Sequence, residues 1–274
     1  MAYHEGAFLR KVVICTPGPA FFGVGADDLS AHNFRATIDA VAALKQHHLL
    51  QETLAACGAE VTVLEEPSGQ PNAVFVQDVA VGTASGFIRM RMGLPTRQGE
   101  VSWMAAALAA LGVPEIGHIE VPGTAEGGDV ILAGDVAFVG LSGRTNAAGV
   151  RQLSVLLGAL GYAVRVIPVP APALHLGGVM SVIGPQQIVA GTDVLPEGVL
   201  AGFEVVELSG RDFIGGNVIT LGPAEVIAEQ HNEPAIAALL RAGIKVHALD
   251  LFEFVKGGGG PSCLILPLAR DGGV

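Results

Sequence analysis

Cysteine is scarce in this chain: Cys15, Cys57 and Cys263 are the only three in 274 residues, and none forms a CxxC pair. No Cys/His cluster with zinc spacing occurs either, which argues against a disulfide framework, a structural metal and a bound cofactor of that kind. Basic residues are also few. Fifteen Lys and Arg against 26 Asp and Glu leave a net charge of −11, which repels phosphate backbones, argues against nucleic acid and suits a cationic small molecule. No apolar stretch reaches membrane-spanning length without Gly, Pro or charge interrupting it, and the N-terminus MAYHEGAFLRKVVIC has no basic segment followed by a long apolar run. A membrane partner is therefore not expected, and the sequence reads as that of a cytoplasmic protein.

Apolar residues and glycine are plentiful instead. Half of the chain is hydrophobic, enough to bury a substantial core, and with no linker or composition shift it reads as one domain over residues 1–274. Five times an Ala/Leu-rich helical pattern stops at a glycine and an extended run follows: CGAEVTVLEE, LGVPEIGHIEV, LGYAVRVIPV, AGFEVVEL and AGIKVHALDL. The glycines are Gly58, Gly112, Gly161, Gly202 and Gly243, separated by 54, 49, 41 and 41 residues. That spacing is too irregular for a solenoid but fits one recurring supersecondary unit.

The helical patterns are specific. Leu153, Leu156, Leu157 and Leu160 share one face of TNAAGVRQLSVLLGALG, and in NEPAIAALLRAG Asn232 stands as N-cap, Pro234 in the first turn and Gly243 past the end. The fourth helix, near VLPEGVLAG, is short or only a turn. His47 and His48 on the first long helix are expected at the surface, and Cys15 and Cys57 are expected to be structural. β-rich sequence with short turns follows each unit, as in DVILAGDVAFVGL and NVITLGPAEVIAE, so each unit reads as helix, strand, then hairpin. The N-terminal strand RKVVICTPG is expected to pair near CLILPL and close a ring.

Counted forward from the five glycines, Asn72, Glu126 and His175 each lie 14 residues on, Asn217 lies 15 on and Cys263 lies 20 on. If the units surround an axis, these polar positions converge on one central pocket. Each residue also has a plainer reading. Cys263, after KGGGGPS, fits a flexible loop entering a buried strand as well as a thiol facing a cavity. His175 in ALHLGG fits a hydrogen-bonded core histidine, and Glu126 with Asp129 in EGGD fits a tight turn. Asp78, set in the β-forming run VFVQDVAV, is harder to place as structure alone, because a buried carboxylate needs a partner.

Taken together and in order, NAVFVQDVAV, GTAEGGDV, GRTNAAGV, LHLGGVMSVIG, GGNVITLG and GGGGPSCLILPL resemble the guanidine-modifying superfamily, and within it most closely the dimethylarginine dimethylaminohydrolases. The resemblance covers nearly the whole chain. It implies an α/β pentein fold, a five-bladed pseudo-symmetric ββαβ propeller around a central active-site pocket. It also implies an enzyme of arginine metabolism without cofactor or metal, acting on a small guanidino substrate and releasing citrulline and an alkylamine. Self-association into a homo-oligomer is compatible with the sequence.

In the chemistry that the resemblance implies, the Cys263 thiolate attacks the guanidinium carbon and His175 protonates the departing amine. A covalent thiouronium forms, and His175 then activates water. Glu126 completes the catalytic set and Asp78 holds the cation. The resemblance further makes Arg97 and Arg144 a clamp for the substrate carboxylate and places Asn72, Gln77, Phe21 and Gly257 around the substrate. Residues 20–34 are the expected lid.

The match has departures. Asn72 and Gln77 are neutral where the family carries acids, Phe21 stands where a leucine usually closes the pocket, and Gly257 replaces a small apolar residue. Deiminases of the superfamily carry an Asp two residues after the catalytic His, and here that position is Gly177, which leaves room for N-alkyl groups. The alternatives kept open are a deiminase or amidinotransferase acting on arginine, agmatine, citrulline or a related compound, and a noncatalytic pentein binding protein.

Overall fold

A computed structural model describes residues 3–209 and 214–271. The chain opens with β1 (Leu9–Cys15), the one-turn helix α1 (Pro19–Phe22), the long helix α2 (Ala40–Ala56) and β2 (Glu60–Leu64). A second unit holds β3 (Ala80–Thr83), β4 (Gly86–Arg89), α3 (Gln98–Ala110) and β5 (Glu115–His118). The third repeats it with β6 (Val130–Ala133), β7 (Val136–Leu141), α4 (Ala147–Ala159) and β8 (Ala163–Pro168).

In the fourth unit the one-turn helix α5 (Leu176–Val179) leads into β9 (Met180–Gly184), β10 (Gln187–Gly191) and β11 (Glu204–Leu208). Only a 3₁₀ turn at Thr192–Val194 stands where the others have a helix, in line with the weak pattern there. The fifth unit holds β12 (Ile219–Gly222), β13 (Glu225–Glu229), α6 (Glu233–Arg241) and β14 (Lys245–Leu249). The short helix α7 (Phe252–Lys256) and β15 (Leu266–Arg270) complete the chain.

These strands form five three-stranded sheets of the same design. In each, the middle strand runs antiparallel to one neighbour and parallel to the other, as β7 does with β6 and β8. The fifth copy is assembled from both ends of the chain: β1 pairs antiparallel with β15 and parallel with β2. The innermost strands β3, β6, β9, β12 and β15 all line one axial chamber of about 630 Å³, so the sheets are blades around a common axis.

All five repeat glycines have positive φ, from 75° at Gly112 to 95° at Gly202, a region that side chains with a Cβ rarely enter. At four of them the next residue's N–H bonds the carbonyl five residues back: Ala59 to Leu54, Val113 to Leu108, Tyr162 to Leu157 and Ile244 to Leu239. That bond stops the helix and turns the chain into the outer strand.

The core is divided among the seams between blades. Leu153 and Leu157 of α4 are fully buried against Ile88 and Met90 of the neighbouring blade, with Leu156 and Leu160 packed at the edge. Asn146 caps α4 by accepting the Gly149 N–H at 2.8 Å. Asn232 precedes α6 without capping it, because its amide donates to the Gly215 carbonyl at 3.1 Å instead. His47 is also not at the surface. It is buried, and burial drives its pKa down to about 4, whereas His48 is exposed and pairs with Glu52. Among the described residues no helix is long and apolar enough to cross a membrane.

Candidate active site

The loops entering the inner strands meet at one end of the axis. Asp78 lies in a 3₁₀ turn before β3, Glu126 immediately precedes the turn Gly127–Asp129 before β6, His175 caps α5, and Cys263 sits in the turn Pro261–Leu264 before β15. A strand entering the axial bundle is buried on every side, so the residue at its mouth is the last one able to face a cavity. Glu126 and His175, each 14 residues past a repeat glycine, hold equivalent places in successive units.

Cys263 and His175 line the same space, which has two lobes of about 320 Å³ each. One lobe adds Asn72, Asp78, Arg97, Arg144, Gly257 and Asn33, and the other adds Gln77, Gly177 and Asn217. The glycines before Cys263 are demanded by crowding as well as by the cavity. Gly258 has φ +95° and a Cβ there would lie 2.5 Å from the Asn33 carbonyl oxygen, while at Gly260 it would lie 2.6 Å from the Asn217 side chain.

His175 Nε2 is 2.7 Å from Glu126 Oε2, and its Nδ1 is 3.7 Å from Asp78 Oδ1. Glu126 is fully buried and its other oxygen accepts from the Gly93 N–H at 2.8 Å. Burial alone would lower the His175 pKa, but the Asp78 charge, the Glu126 hydrogen bond and the Asp129 charge outweigh it and raise it to about 9. Burial acts to raise the Glu126 pKa and is outweighed in turn by His175, Arg97 and Arg144, so that it falls to about 2. The imidazole is therefore held as a cation at neutral pH. Cys263 is a half-buried free thiol whose pKa is pushed up to about 12, first by burial and next by the Asp78 charge.

The substrate-facing expectations meet a mixed geometry. Arg144 lines the cavity with Nη1 3.7 Å from Glu126 Oε1. Asn72 is buried at the cavity wall, where its amide donates to the His32 carbonyl at 2.9 Å and its Oδ1 has no hydrogen-bond partner. Gln77 lines the other lobe, accepting from Ser262 Oγ at 3.3 Å. Gly257 lies in the wall. From residues 20–34, Asn33 lines the cavity, and the carbonyls of Ala31 and His32 accept from Thr96 and Asn72, so the end of this segment borders the site.

Two expectations need correction. Phe21 does not line the cavity. It is fully buried, stacked on Phe254 with ring centroids 5.6 Å apart, one layer behind Gly257 and Phe75. Arg97 does reach the cavity wall, but its guanidinium is not free to clamp a carboxylate. It bonds Asp78 Oδ2 at 2.5 Å, Glu100 Oε2 at 2.8 Å and the Phe75 carbonyl at 3.0 Å. An arginine with its fork occupied in this way is a structural counter-ion.

The sequence reading also passed over three residues. Asn217 was found as a repeat position without a role; its Oδ1 accepts from the Ser262 N–H at 2.8 Å and its Nδ2 lies 3.7 Å from Cys263 Sγ. Asp129 accepts from the Leu176 N–H and from Ser142 and Thr145, tying the His175 turn to the Arg144 loop. Glu100, partner of Arg97, gave no signal, because an acid in the first turn of a helix ordinarily faces solvent.

Residues 26–270 match the family model described as N,N dimethylarginine dimethylhydrolase, eukaryotic. The chain belongs to the dimethylarginine dimethylaminohydrolase family. A member of that name from Streptomyces coelicolor is 32% identical over 272 residues, covering 94% of this chain and 97% of the relative. Another from Pseudomonas aeruginosa is 28% identical over 231 residues, covering 83% of this chain and 89% of the relative. A solved structure of a dimethylarginine dimethylaminohydrolase mutant from Pseudomonas aeruginosa, in complex with citrulline, superposes with a TM-score of 0.83 at 26% identity, covering 95% of this chain and 100% of that one. The fold is thus the pentein propeller, and membership in the family makes the protein a hydrolase of C–N bonds.

The buried charges generate a stability prediction. Arg97→Ala leaves Asp78 and Glu100 without their cation and is expected to lower the unfolding free energy by about 3–5 kcal/mol. Arg144→Ala removes only a longer contact, 3.7 Å from Glu126 Oε1, while Glu126 keeps its bond to His175, and is expected to cost clearly less. Urea denaturation of both variants checks the contrast, and equal losses would contradict the counter-ion role of Arg97.

Proposed function

We propose that the protein hydrolyses an N-methylated arginine to citrulline and an alkylamine, with Cys263 as nucleophile. The observation that carries this reading is that Cys263 and a carboxylate-held His175 line one cavity whose walls include Asp78. A guanidinium carbon is a poor electrophile, so its hydrolysis requires a strong nucleophile, anionic groups to hold the cation and an acid for the leaving nitrogen.

In the first half-reaction the Cys263 thiolate adds to the guanidinium carbon, the bond to the alkylated nitrogen breaks, and that nitrogen takes the proton of His175. The thiouronium remains on sulfur. Neutral His175 then removes one proton from water as the water adds to the same carbon, the carbon–sulfur bond breaks to expel the thiolate, and the remaining hydroxyl proton passes to solvent to leave citrulline. Glu126 orients the imidazole through both protonation states. Asp78 faces the bound cation, and Arg144 binds the substrate carboxylate.

The raised Cys263 pKa gives the substrate a part in activation. At about 12, the thiolate fraction at pH 7 is on the order of one in 10⁵. A cation bound beside the sulfur stabilises the charged form and lowers that pKa, while the displaced proton passes to solvent. Substrate preference follows from what lies near the thiol. Gly177, in the lobe shared with Cys263, carries no carboxylate and leaves space for N-methyl groups. The unpartnered Asn72 Oδ1 can accept one hydrogen bond from the substrate ammonium. The neutral amides of Asn72 and Gln77 favour a second reading, a deiminase acting on a guanidino compound without an α-ammonium group, because neither amide attracts that charge as an acid would.

Incubation with asymmetric dimethylarginine, arginine, agmatine and citrulline, with separate assays of dimethylamine, ammonia and ureido product, separates the two readings. Equimolar dimethylamine and citrulline are expected from dimethylarginine, and ammonia from arginine or agmatine alone would overturn the choice. Cys263→Ser and His175→Gly are each expected to lower turnover by at least about 10²-fold, while Arg144→Ala raises KM by about 10–100-fold. The thiolate absorbance of Cys263 should titrate at lower pH with a guanidinium ligand bound. An unchanged midpoint would rule out activation by substrate.

A further inference from the structure

Far from this cavity, the fold assembles a second group of side chains with metal-binding chemistry. Cys57 follows the last residue of α2, Glu225 opens β13, and His247 lies in the middle of the adjacent strand β14. The three are scattered over 190 residues of sequence, which is why a search for local Cys/His spacing gave no metal site. In space, one donor atom from each lies within 4.8 Å of the others. We propose that Cys57, Glu225 and His247 form a binding site for a divalent transition metal ion of the zinc class, joining the end of α2 to the β12–β13–β14 blade.

The geometry is centred on one nitrogen. His247 Nε2 is 3.8 Å from Cys57 Sγ and 2.7 Å from Glu225 Oε1. A tetrahedral ion with bonds of about 2.0 Å to nitrogen and about 2.3 Å to sulfur sets ligand separations of about 3.3–3.8 Å. The sulfur–nitrogen edge already has that length, and the carboxylate needs to retreat by about half an ångström. A proton on Nε2 can point along only one of the two directions, whereas an ion taking the Nε2 lone pair bonds both acceptors at once.

Ligand chemistry selects the metal. A thiolate, an imidazole and a carboxylate favour zinc and its neighbours over magnesium or calcium, which take oxygen ligands. One thiolate and one carboxylate also neutralise a divalent charge, so a partly buried ion leaves no net charge to be solvated. All three residues are half-buried, which gives the ion a path from solvent and leaves a coordination position for water. Binding as thiolate releases the Cys57 proton, so affinity should rise with pH.

Lys245 is the competitor. Its Nζ sits 2.6 Å from Glu225 Oε1, but its side chain is 67% exposed and can turn to water when an ion takes the carboxylate. Among the described residues two other such clusters occur: Asp78 with Glu126 and His175 belongs to the candidate active site, and Glu229 with His231 and Asp250 contains no thiol.

The test uses the full-length Cys263→Ser variant, so that the active-site thiol cannot contribute. Calorimetric titration with Zn²⁺ should show one saturable equivalent, and Co²⁺ should give thiolate-to-cobalt charge-transfer absorption. Adding Cys57→Ser or His247→Gln should weaken Zn²⁺ binding by about 100-fold without changing the circular dichroism of the protein. Lys245→Gln should strengthen it. If the double variants unfold, the cobalt spectrum of Cys263→Ser decides the matter alone. No saturable Zn²⁺ binding, a cobalt spectrum without a thiolate band, or affinity indifferent to Cys57 and His247 would overturn the proposal.

Discussion

The arrangement depends on a run of buried charges that alternate in sign. Glu100 meets Arg97 at 2.8 Å, Arg97 meets Asp78 at 2.5 Å, Asp78 faces His175 at 3.7 Å, His175 meets Glu126 at 2.7 Å, and Glu126 faces Arg144 at 3.7 Å. Each anion in the run has a cation on at least one side. Burying charge is severely unfavourable unless it is paired and hydrogen-bonded, so such a run stands or falls as a unit. Glu100, at its inner end, already has its pKa raised to about 7 by burial despite Arg97. Without that arginine Glu100 would have no cation beside it, and Asp78 would lose the nearer of its two.

The five-blade ring makes this run constructible. Arg97 and Asp78 come from the β3–β4–β5 unit, Glu126 and Arg144 from the β6–β7–β8 unit, His175 from the unit that follows and Cys263 from the closing one. No local motif could place these groups together, whereas a ring brings equivalent positions of successive units to one point. The glycine that ends each helix fixes where the outer strand begins, and hence where the next loop meets the axis. Side chains held at the mouths of buried strands are positioned by the sheet ladders, which is the rigidity that the proposed chemistry requires.

Much of this was legible because the repeat carries its own ruler. The five glycines and the convergence of Asn72, Glu126, His175, Asn217 and Cys263 follow from offsets that can be counted, Asp78 stands out as a carboxylate in a β-forming run, and the N-terminal strand supplies the partner that closes the last blade. What escaped reading depends on side-chain direction. Nothing in PTRQGE says that Arg97 turns inward to bond Asp78 and Glu100, because the same residues on an exposed helix start would face water. Phe21 lies near the cavity in sequence logic but behind it in space, since its ring finds a larger apolar surface against Phe254, Phe34 and Phe75. The Cys57, Glu225 and His247 cluster was invisible for a different reason, being assembled only when α2 docks on a blade built mostly from the far end of the chain.

The neutral amides Asn72 and Gln77 change the electrostatics around the substrate without touching the charge run itself, since neither bonds Arg97 or His175 through its side chain. In the proposed reaction, substrate choice and the catalytic acid thus rest on separate groups. The most direct measurement is the nuclear magnetic resonance titration of the His175 imidazole in the full-length protein. A midpoint near 9, shifting downward in Glu126→Gln, is the expected result. A midpoint at or below about 6.5, the ordinary histidine value, would contradict a cation held between two buried carboxylates.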